Sequence, residues 1–281
     1  MKIIHSLSEM KVAIHKLKQS KASIGFVPTM GALHEGHQSL VRHARGENDQ
    51  VVVSLFVNPL QFGPKEDFKR YPRTPKQDLA LLQKERVDIV FMPSAAQMFP
   101  ADASTFVDVP AFDQALCAPL RPGHFRGVAT VVAKLFEIVQ PSRAYFGQKD
   151  YQQCRVIDRM VKDLQMPVRV VICPTVREPD GLACSSRNRY LSAKERDEAI
   201  KLYQALYLGR ELIEQKIMLD SVRLAKRLKQ ILSQIPKSRI DYISVVDPMT
   251  LAPMKRIHRP ALLAIALWIG KTRLIDNVVI S

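Results

Sequence analysis

Apolar residues recur along the first two thirds of the chain as short continuous runs separated by amphipathic stretches. Ser23 to Val27, Gln50 to Val57 and Val87 to Met92 are rich in β-branched and aromatic residues, the pattern of strands covered on both faces. Ser104 to Val109, Arg143 to Phe146 and Pro167 to Cys173 read as further strands. Between them, apolar residues at helical spacing predict helices over Glu9 to Lys18, introduced by a Ser6-x-x-Glu9 capping box, and over Ser39 to Arg45, Pro75 to Arg86, Val128 to Val139 and Tyr151 to Leu164. Strand and helix alternate, which predicts an α/β fold. The expectation is a Rossmann-like, mostly parallel sheet with helices on both faces and ligands at the C-terminal ends of the strands.

After residue 175 the pattern changes. Ser192-x-x-Glu195 caps a long helix to Gln215, Asp220 opens a second to Ile235, and three apolar runs follow at Ile240 to Val246, Leu262 to Ile269 and Leu274 to Ile280. Helices followed by sheet-like runs predict a smaller α+β C-terminal lid domain. The expected division is therefore residues 1–175 and 176–281, with the boundary between Pro174 and Pro179. A length of 281 residues is ample for two cores.

Composition narrows the partners. The net charge of +15 is spread along the chain: residues 1–175 carry 23 basic against 16 acidic side chains, and residues 176–281 carry 19 against 11. The densest basic segment, Arg223, Lys226, Arg227 and Lys229, alternates with Leu224, Leu228 and Leu232 at helical spacing. That is a solvated amphipathic face, with no interleaved aromatics to stack on bases, so no nucleic-acid partner is expected. No stretch reaches the ~20 apolar residues of a membrane span. The four cysteines, Cys117, Cys154, Cys173 and Cys184, show no Cys-x-x-Cys spacing. They read as reduced thiols of a cytoplasmic protein.

The chemistry gathers at strand-to-helix turns. Val27 to His37 holds His34-Glu35-Gly36-His37 just after a strand. Gly31 and Gly36 let backbone approach a ligand, helix N-terminal N–H groups are expected to point outward, and two imidazoles three residues apart can reach one polyphosphate. Metal ligation and ordinary turn histidines remain open as alternatives. Asn58 and Gln61 follow the second strand, where amides line a polar small-molecule site or simply cap a turn. Arg121, His124 and Arg126 are candidates to clamp an anion. Gly147-Gln148-Lys149-Asp150 offers a cation for phosphate and a carboxylate for Mg²⁺, or a plain turn. Ser185-Ser186-Arg187-Asn188 offers hydroxyls and a guanidinium, or a helix cap.

Taken in order, Pro-Thr-Met-Gly-x-Leu-His-x-Gly-His, Phe-Val-Asn-Pro-x-Gln-Phe, Arg-Tyr-Pro-Arg-Thr, Arg-Pro-Gly-His-Phe-Arg-Gly-Val, Phe-Gly-x-Lys-Asp-Tyr-Gln-Gln and Ser-Ser-Arg-Asn closely resemble the pantothenate synthetase family. The resemblance spans residues 23–191 and continues more weakly to Arg273-Leu274-Ile275-Asp276-Asn277. It implies a ligase of the His-x-Gly-His nucleotidyltransferase superfamily. Such a ligase activates pantoate with Mg²⁺ and ATP, releases pyrophosphate, and lets β-alanine attack the pantoyl adenylate to give pantothenate and AMP.

By position, the resemblance assigns ATP to Met30, Gly31, Ala32, Leu33, His34, Glu35, Gly36 and His37, with both histidines on the phosphates and His37 the proton donor. Gly147, Gln148, Lys149, Asp150, Val176, Cys184, Ser185, Ser186 and Arg187 complete that site. Pantoate falls to Gln61, Gln153 and Asn58, β-alanine to Gln61, and Mg²⁺ to Asp150. Attack of a carboxylate on the α-phosphate gathers negative charge, which His34, His37, Lys149 and Arg187 can stabilise without a covalent nucleophile. A homodimer is expected from the resemblance. Three departures stand out: Gln148 where Glu is frequent, Cys184 where an aliphatic residue is usual, and Cys117-Ala118-Pro119 in place of Glu-Gly. Another nucleotidyltransferase, lacking the Gln61 and Gln153 pair, and a basic RNA-binding module are the competing readings.

Overall fold

The computed structural model describes residues 1–64 and 66–281. Six strands, β1 (Lys2–Ile4), β2 (Ile24–Thr29), β3 (Gln50–Leu55), β4 (Ile89–Phe91), β5 (Arg143–Gly147) and β6 (Arg169–Cys173), form one sheet in the order β1-β4-β3-β2-β5-β6. Every pairing in it is parallel. The helices are α1 (Leu7–Gln19), α2 (Glu35–Glu47), α3 (Pro75–Lys84), α4 (Ala95–Met98), α5 (His124–Val139) and α6 (Tyr151–Asp163).

Strand alternation explains why the runs are apolar throughout. Val27, Val51, Val53, Val90 and Tyr145 leave one face and pack with Leu40, Val41 and Ala44 of α2 and Leu82 of α3. Phe26 and Phe146 leave the other and meet Phe136 of α5 edge-on, each at 6.4 Å between ring centroids.

Three expectations are corrected. Ser104 to Val109 is not a strand: Val107 pairs both its N–H and its carbonyl with the Thr130 hydroxyl of α5, at 3.0 and 3.3 Å, instead of joining a ladder. Helix α2 starts at Glu35 rather than Ser39, because His34 itself is the cap. Helix α5 starts at His124 rather than Val128; Gly123, at φ +78°, turns the chain into it and the glycine-bearing first turns are helical. Strand β1 has no counterpart in the sequence reading. Of its three residues only Ile4 is buried, too short a signal to show a period.

The chain divides into two compact units, and the second comprises residues 112–120, 148–152 and 175–281. Within it α7 (Ala193–Glu214), α8 (Ser221–Leu232) and the strands β7 (Ser238–Val246), β8 (Ala261–Ile269) and β9 (Thr272–Ile280) build a core of Leu202, Leu206, Leu224, Leu228, Leu263, Ile265 and Leu267. The sheet is antiparallel with β8 in the middle, and its near-continuous apolar sequence follows from burial on both sides. The outlying loop belongs to this unit because the buried Gln152 clasps it. Its amide donates to the Phe112 and Ala115 carbonyls at 3.2 and 2.8 Å and accepts the Cys117 N–H at 3.0 Å. None of the four cysteines forms a disulfide, and burial pushes the Cys173 thiol up to about 11. Among the described residues no helix is long and apolar enough to cross a membrane.

Candidate active site

From β2 the chain proceeds to β3 and β4 on one side of the sheet, while β5 and β6 lie on the other. The C-terminal end of β2 is thus a switch point, where open α/β sheets form their ligand crevice. The turn leaving it is tightly held. Thr29 donates its hydroxyl to the Ser54 carbonyl at 2.8 Å and accepts the Gly31 N–H at 3.2 Å. Gly31 and Ala32 both take left-handed backbone conformations, φ +80° and +50°, of which the second is strained for a residue with a Cβ. The clamp that imposes them is Asp78 of α3, only 3% exposed. Its carboxylate accepts Ala32 N–H at 3.0 Å, Leu33 N–H at 2.8 Å and the Thr74 hydroxyl at 3.1 Å.

At the start of α2 the imidazoles close the remaining main-chain bonds. His34 Nδ1 accepts the Gly36 N–H at 3.2 Å, and His37 Nδ1 accepts the His34 N–H at 3.3 Å, with the rings 4.1 Å apart. This corrects the expectation of outward-pointing backbone donors, because the N–H groups of Gly31 to His34 and of Gly36 are paired inside the protein. A ring nitrogen that accepts an N–H carries no proton, so each neutral imidazole holds its proton on Nε2. The turn therefore presents imidazole N–H donors, which suit an anion better than a metal. Ala32 and Leu33 are buried, 0% and 2% exposed, and contribute to the turn's shape. Glu35 faces Arg42, Oε1 to Nη1 at 2.5 Å, and Met30 offers its sulfur to Gln61 Nε2 at 3.1 Å.

Beyond β3, Asn58 is 1% exposed and supports its neighbour. Its Nδ2 donates to Gln61 Oε1 at 3.1 Å and to the Gly127 carbonyl at 3.0 Å, while its Oδ1 accepts Leu60 N–H at 3.2 Å. With those groups committed, Asn58 orients Gln61. Gly127 permits the approach: a Cβ there would lie 2.3 Å from the Leu60 carbonyl oxygen and 2.8 Å from Gln61 N.

The three cations of the Pro-Gly loop do not form the expected anion clamp. Arg121 is bidentate to Glu66 at 2.6 Å on both oxygens, and it donates to His124 Nε2 at 2.9 Å. His124 in turn donates Nδ1–H to the Gln61 carbonyl at 2.7 Å. Arg126 stacks on Phe106 at 4.1 Å. Burial alone would raise the Glu66 pKa, but the hydrogen bonds and charge of Arg121 take it below the ordinary value. The relay Glu66–Arg121–His124 thus ends on the main chain of Gln61. Gln153 is half-buried in the first turn of α6.

In the second unit, Gln148–Asp150 forms a 3-10 turn. The Lys149 side chain is 19% exposed, the Asp150 carboxylate 47%, and Nζ stands 3.9 Å from Oδ1. Val176 and Cys184 are joined across a hairpin by Cys184 N–H to the Val176 carbonyl at 2.9 Å. Ser185 then caps a 3-10 turn over Ser186–Tyr190, accepting Arg187 N–H at 3.3 Å. Arg187 is half-buried and Ser186 buried. Asn188 ties the turn back to the hairpin through the Ala183 carbonyl at 3.1 Å and Glu178 at 3.0 Å. Among the described residues no group of three or more His, Cys, Asp or Glu side chains could hold a metal. Asp150 as a lone carboxylate suits an ion that enters on a triphosphate, since Mg²⁺ is commonly held by one or two carboxylates with substrate phosphates and water.

In sequence Asp78 looks like any acidic residue in a first helical turn, and the polar pair Asp276-Asn277, part of the resemblance but given no role by it, sits in an apolar strand.

The family model described as pantoate-beta-alanine ligase matches residues 2–279. The pantothenate synthetase of Thermotoga neapolitana is 54% identical over 281 residues, covering 100% of both chains. The crystal structure of pantothenate synthetase from Thermus thermophilus superposes with a TM-score of 0.93 at 47% identity, covering 99% of each chain. That of pantoate-beta-alanine ligase from Francisella tularensis, complexed with beta-gamma ATP and beta-alanine, gives 0.81 at 34% identity, covering 99% of this chain and 97% of that one.

Proposed function

The chain belongs to the pantoate-β-alanine ligase family and catalyses the ATP-dependent condensation of pantoate with β-alanine; on that premise we propose how its own residues divide the work. The observation that carries the assignment is the pair of imidazoles whose Nδ1 atoms accept main-chain N–H bonds, which makes the protonated Nε2 atoms the donors suited to phosphate oxygens.

In the first step a pantoate carboxylate oxygen bonds to the α-phosphorus of ATP and the bond to the bridging oxygen of pyrophosphate breaks. His34 and His37 donate Nε2–H hydrogen bonds to the phosphates, and His37 is assigned to the oxygens on which charge builds as pyrophosphate leaves. Lys149 and Arg187 offset the negative charge added on the phosphate oxygens, which is electrostatic stabilisation with no covalent nucleophile. Mg²⁺, when bound, offsets phosphate charge, and Asp150 is its proposed protein ligand. Gln61 and Gln153 hold pantoate through amide hydrogen bonds, with Asn58 fixing the Gln61 rotamer. The turn from Met30 to Gly36, whose paired N–H groups fix its shape, together with Gly147 and Gln148, Val176, and Cys184 to Ser186, is assigned to line the ATP site.

In the second step the neutral amine of β-alanine, bordered by Gln61, attacks the acyl carbonyl of the pantoyl adenylate. The C–N bond forms, the acyl–oxygen bond to AMP breaks, and the amine's surplus proton leaves to solvent. Residues 1–175 are assigned to nucleotide and pantoate binding, and residues 176–281 to a lid that keeps water from the acyl adenylate. A cytoplasmic homodimer is the proposed setting.

The test is exchange of labelled pyrophosphate into ATP. It is expected to require pantoate and to proceed without β-alanine; exchange that ignores pantoate would overturn the two-step reading.

A further inference from the structure

Strand β9 contains two adjacent polar residues, Asp276 and Asn277, that are 2% and 4% exposed. Burying an amide and a carboxylate in a sheet is costly unless each is fully partnered, so their partners indicate what they are for. Asp276 accepts from both terminal nitrogens of Arg177, at 2.5 and 3.1 Å. Arg177 also donates to the Gly181 carbonyl at 3.1 Å and stacks on Tyr203 at 4.7 Å. Asp276 thus anchors the hairpin that carries Val176 and Cys184.

Asn277 reaches a different segment. Its Nδ2 donates to the Gln148 carbonyl at 3.0 Å and to the Lys149 carbonyl at 2.9 Å, and Gln148 Nε2 donates back to its Oδ1 at 3.5 Å. We propose that Asn277 is a positioning residue for the adenylation step, acting through Lys149. One amide nitrogen bound to two consecutive carbonyls fixes the peptide unit between them, and with it the direction in which the Lys149 Cα–Cβ bond leaves the turn. A 3-10 turn of three residues has few internal hydrogen bonds with which to do this itself. Asn277 lies on the edge strand β9 and is in register with Ala264 of the central strand β8, so the support is a strand rather than a loop. An aliphatic residue would serve that strand equally well as packing; the two carbonyls explain the amide.

The inference rests on the role given to Lys149 above, and the experiment separates the two. Pantoate-dependent pyrophosphate exchange is measured for wild type, Asn277→Ala, Lys149→Ala and the double variant, with thermal melts alongside. Since misplacing a catalytic group by about 1 Å costs up to ~10²-fold, Asn277→Ala is expected to lower kcat at least ~10-fold with KM for pantoate within about threefold. In the Lys149→Ala background the same change is expected to cost less than about threefold, because the group it positions is gone.

Asn277→Asp supplies a second signature should the alanine variant not fold. A carboxylate facing two carbonyls repels them, whereas its protonated form donates one hydrogen bond, so the variant's activity relative to wild type is expected to rise as pH falls. An equal loss with and without Lys149, a near wild-type kcat for Asn277→Ala, or a pH-independent deficit for Asn277→Asp would overturn the proposal. A Lys149→Ala enzyme with undiminished exchange would instead remove the role of Lys149, and the proposal with it.

Discussion

Asp78 Oδ1 accepts the Leu33 backbone N–H at 2.8 Å, joining two segments 45 residues apart. Its other oxygen holds Ala32 N–H, so one buried carboxylate maintains the left-handed turn that delivers His34 to the start of α2. Asp78→Ala leaves two buried donors unpaired, each at a cost of about 1–3 kcal/mol. Asp78→Asn keeps the shape but retains only one acceptor oxygen, and is expected to lose less. Urea melts should rank wild type above Asn above Ala, and exchange activity should fall in the same order. A variant that keeps full stability and activity would show that the turn does not depend on this clamp.

What could be read in the chain beforehand depended on how local each determinant was. The run from Gln50 to Val57 was legible as a buried strand, observed over Gln50–Leu55, because burial on both faces leaves no room for polar alternation. The imidazole pair was legible because a cap and its third helical residue are neighbours both in sequence and in space. Ser104 to Val109 has strand-like composition, but Val107 within it bonds its main chain to Thr130, a side chain that no window around residue 107 includes. Asp78, Gly127 and Asn277 escaped for the same reason. Each acts on main-chain atoms or an amide 45 or more residues away, and nothing near them in sequence marks the distant partner. The anion clamp ascribed to Arg121, His124 and Arg126 fails similarly, since the Glu66 and Phe106 that engage them lie 55 and 20 residues upstream.

The geometry of α2 separates the two uses of each histidine. Asn at position 34 is a favoured helix cap and can accept the Gly36 N–H, and Gln at position 37 can accept the His34 N–H as in a capping box. Both His34→Asn and His37→Gln are therefore expected to melt within about 1 kcal/mol of wild type. Each loses its imidazole donor, and exchange kcat is expected to fall about 10²–10³-fold, the usual cost of removing one preorganised donor. Equal losses of stability and activity would mean that the rings serve only the fold.

Gly127 lies where α5 meets the turn bearing Gln61, and an alanine methyl would sit 2.3 Å from the Leu60 carbonyl oxygen. Backbone atoms cannot yield as a flexible side chain can, so the turn must shift. Gly127→Ala is expected to raise KM for pantoate at least ~10-fold, given what a displacement of about 1 Å costs, while KM for ATP changes little. Steady-state kinetics with each substrate varied in turn decides it, and an unchanged pantoate KM would dissociate Gln61 from pantoate.

The relay ending on Gln61 should also give the protein an acid-sensitive element. Burial works against the ionised Glu66, but the two-pronged hydrogen bonds and charge of Arg121 outweigh it, so the folded-state pKa lies below the ordinary 4.5. A depressed carboxylate pKa contributes stability that is fully present above the unfolded value and is lost as pH falls through the folded one. Glu66→Gln keeps the shape without the charge. Melting temperatures of the two proteins are therefore expected to differ by a constant amount above about pH 5 and to converge below pH 4.5, as wild-type Glu66 takes up its proton. Because the relay terminates on the Gln61 carbonyl, the pantoate KM of wild type should rise toward that of Glu66→Gln over the same acid range. A stability gap that persists to lower pH would place the source of acid sensitivity elsewhere in the fold.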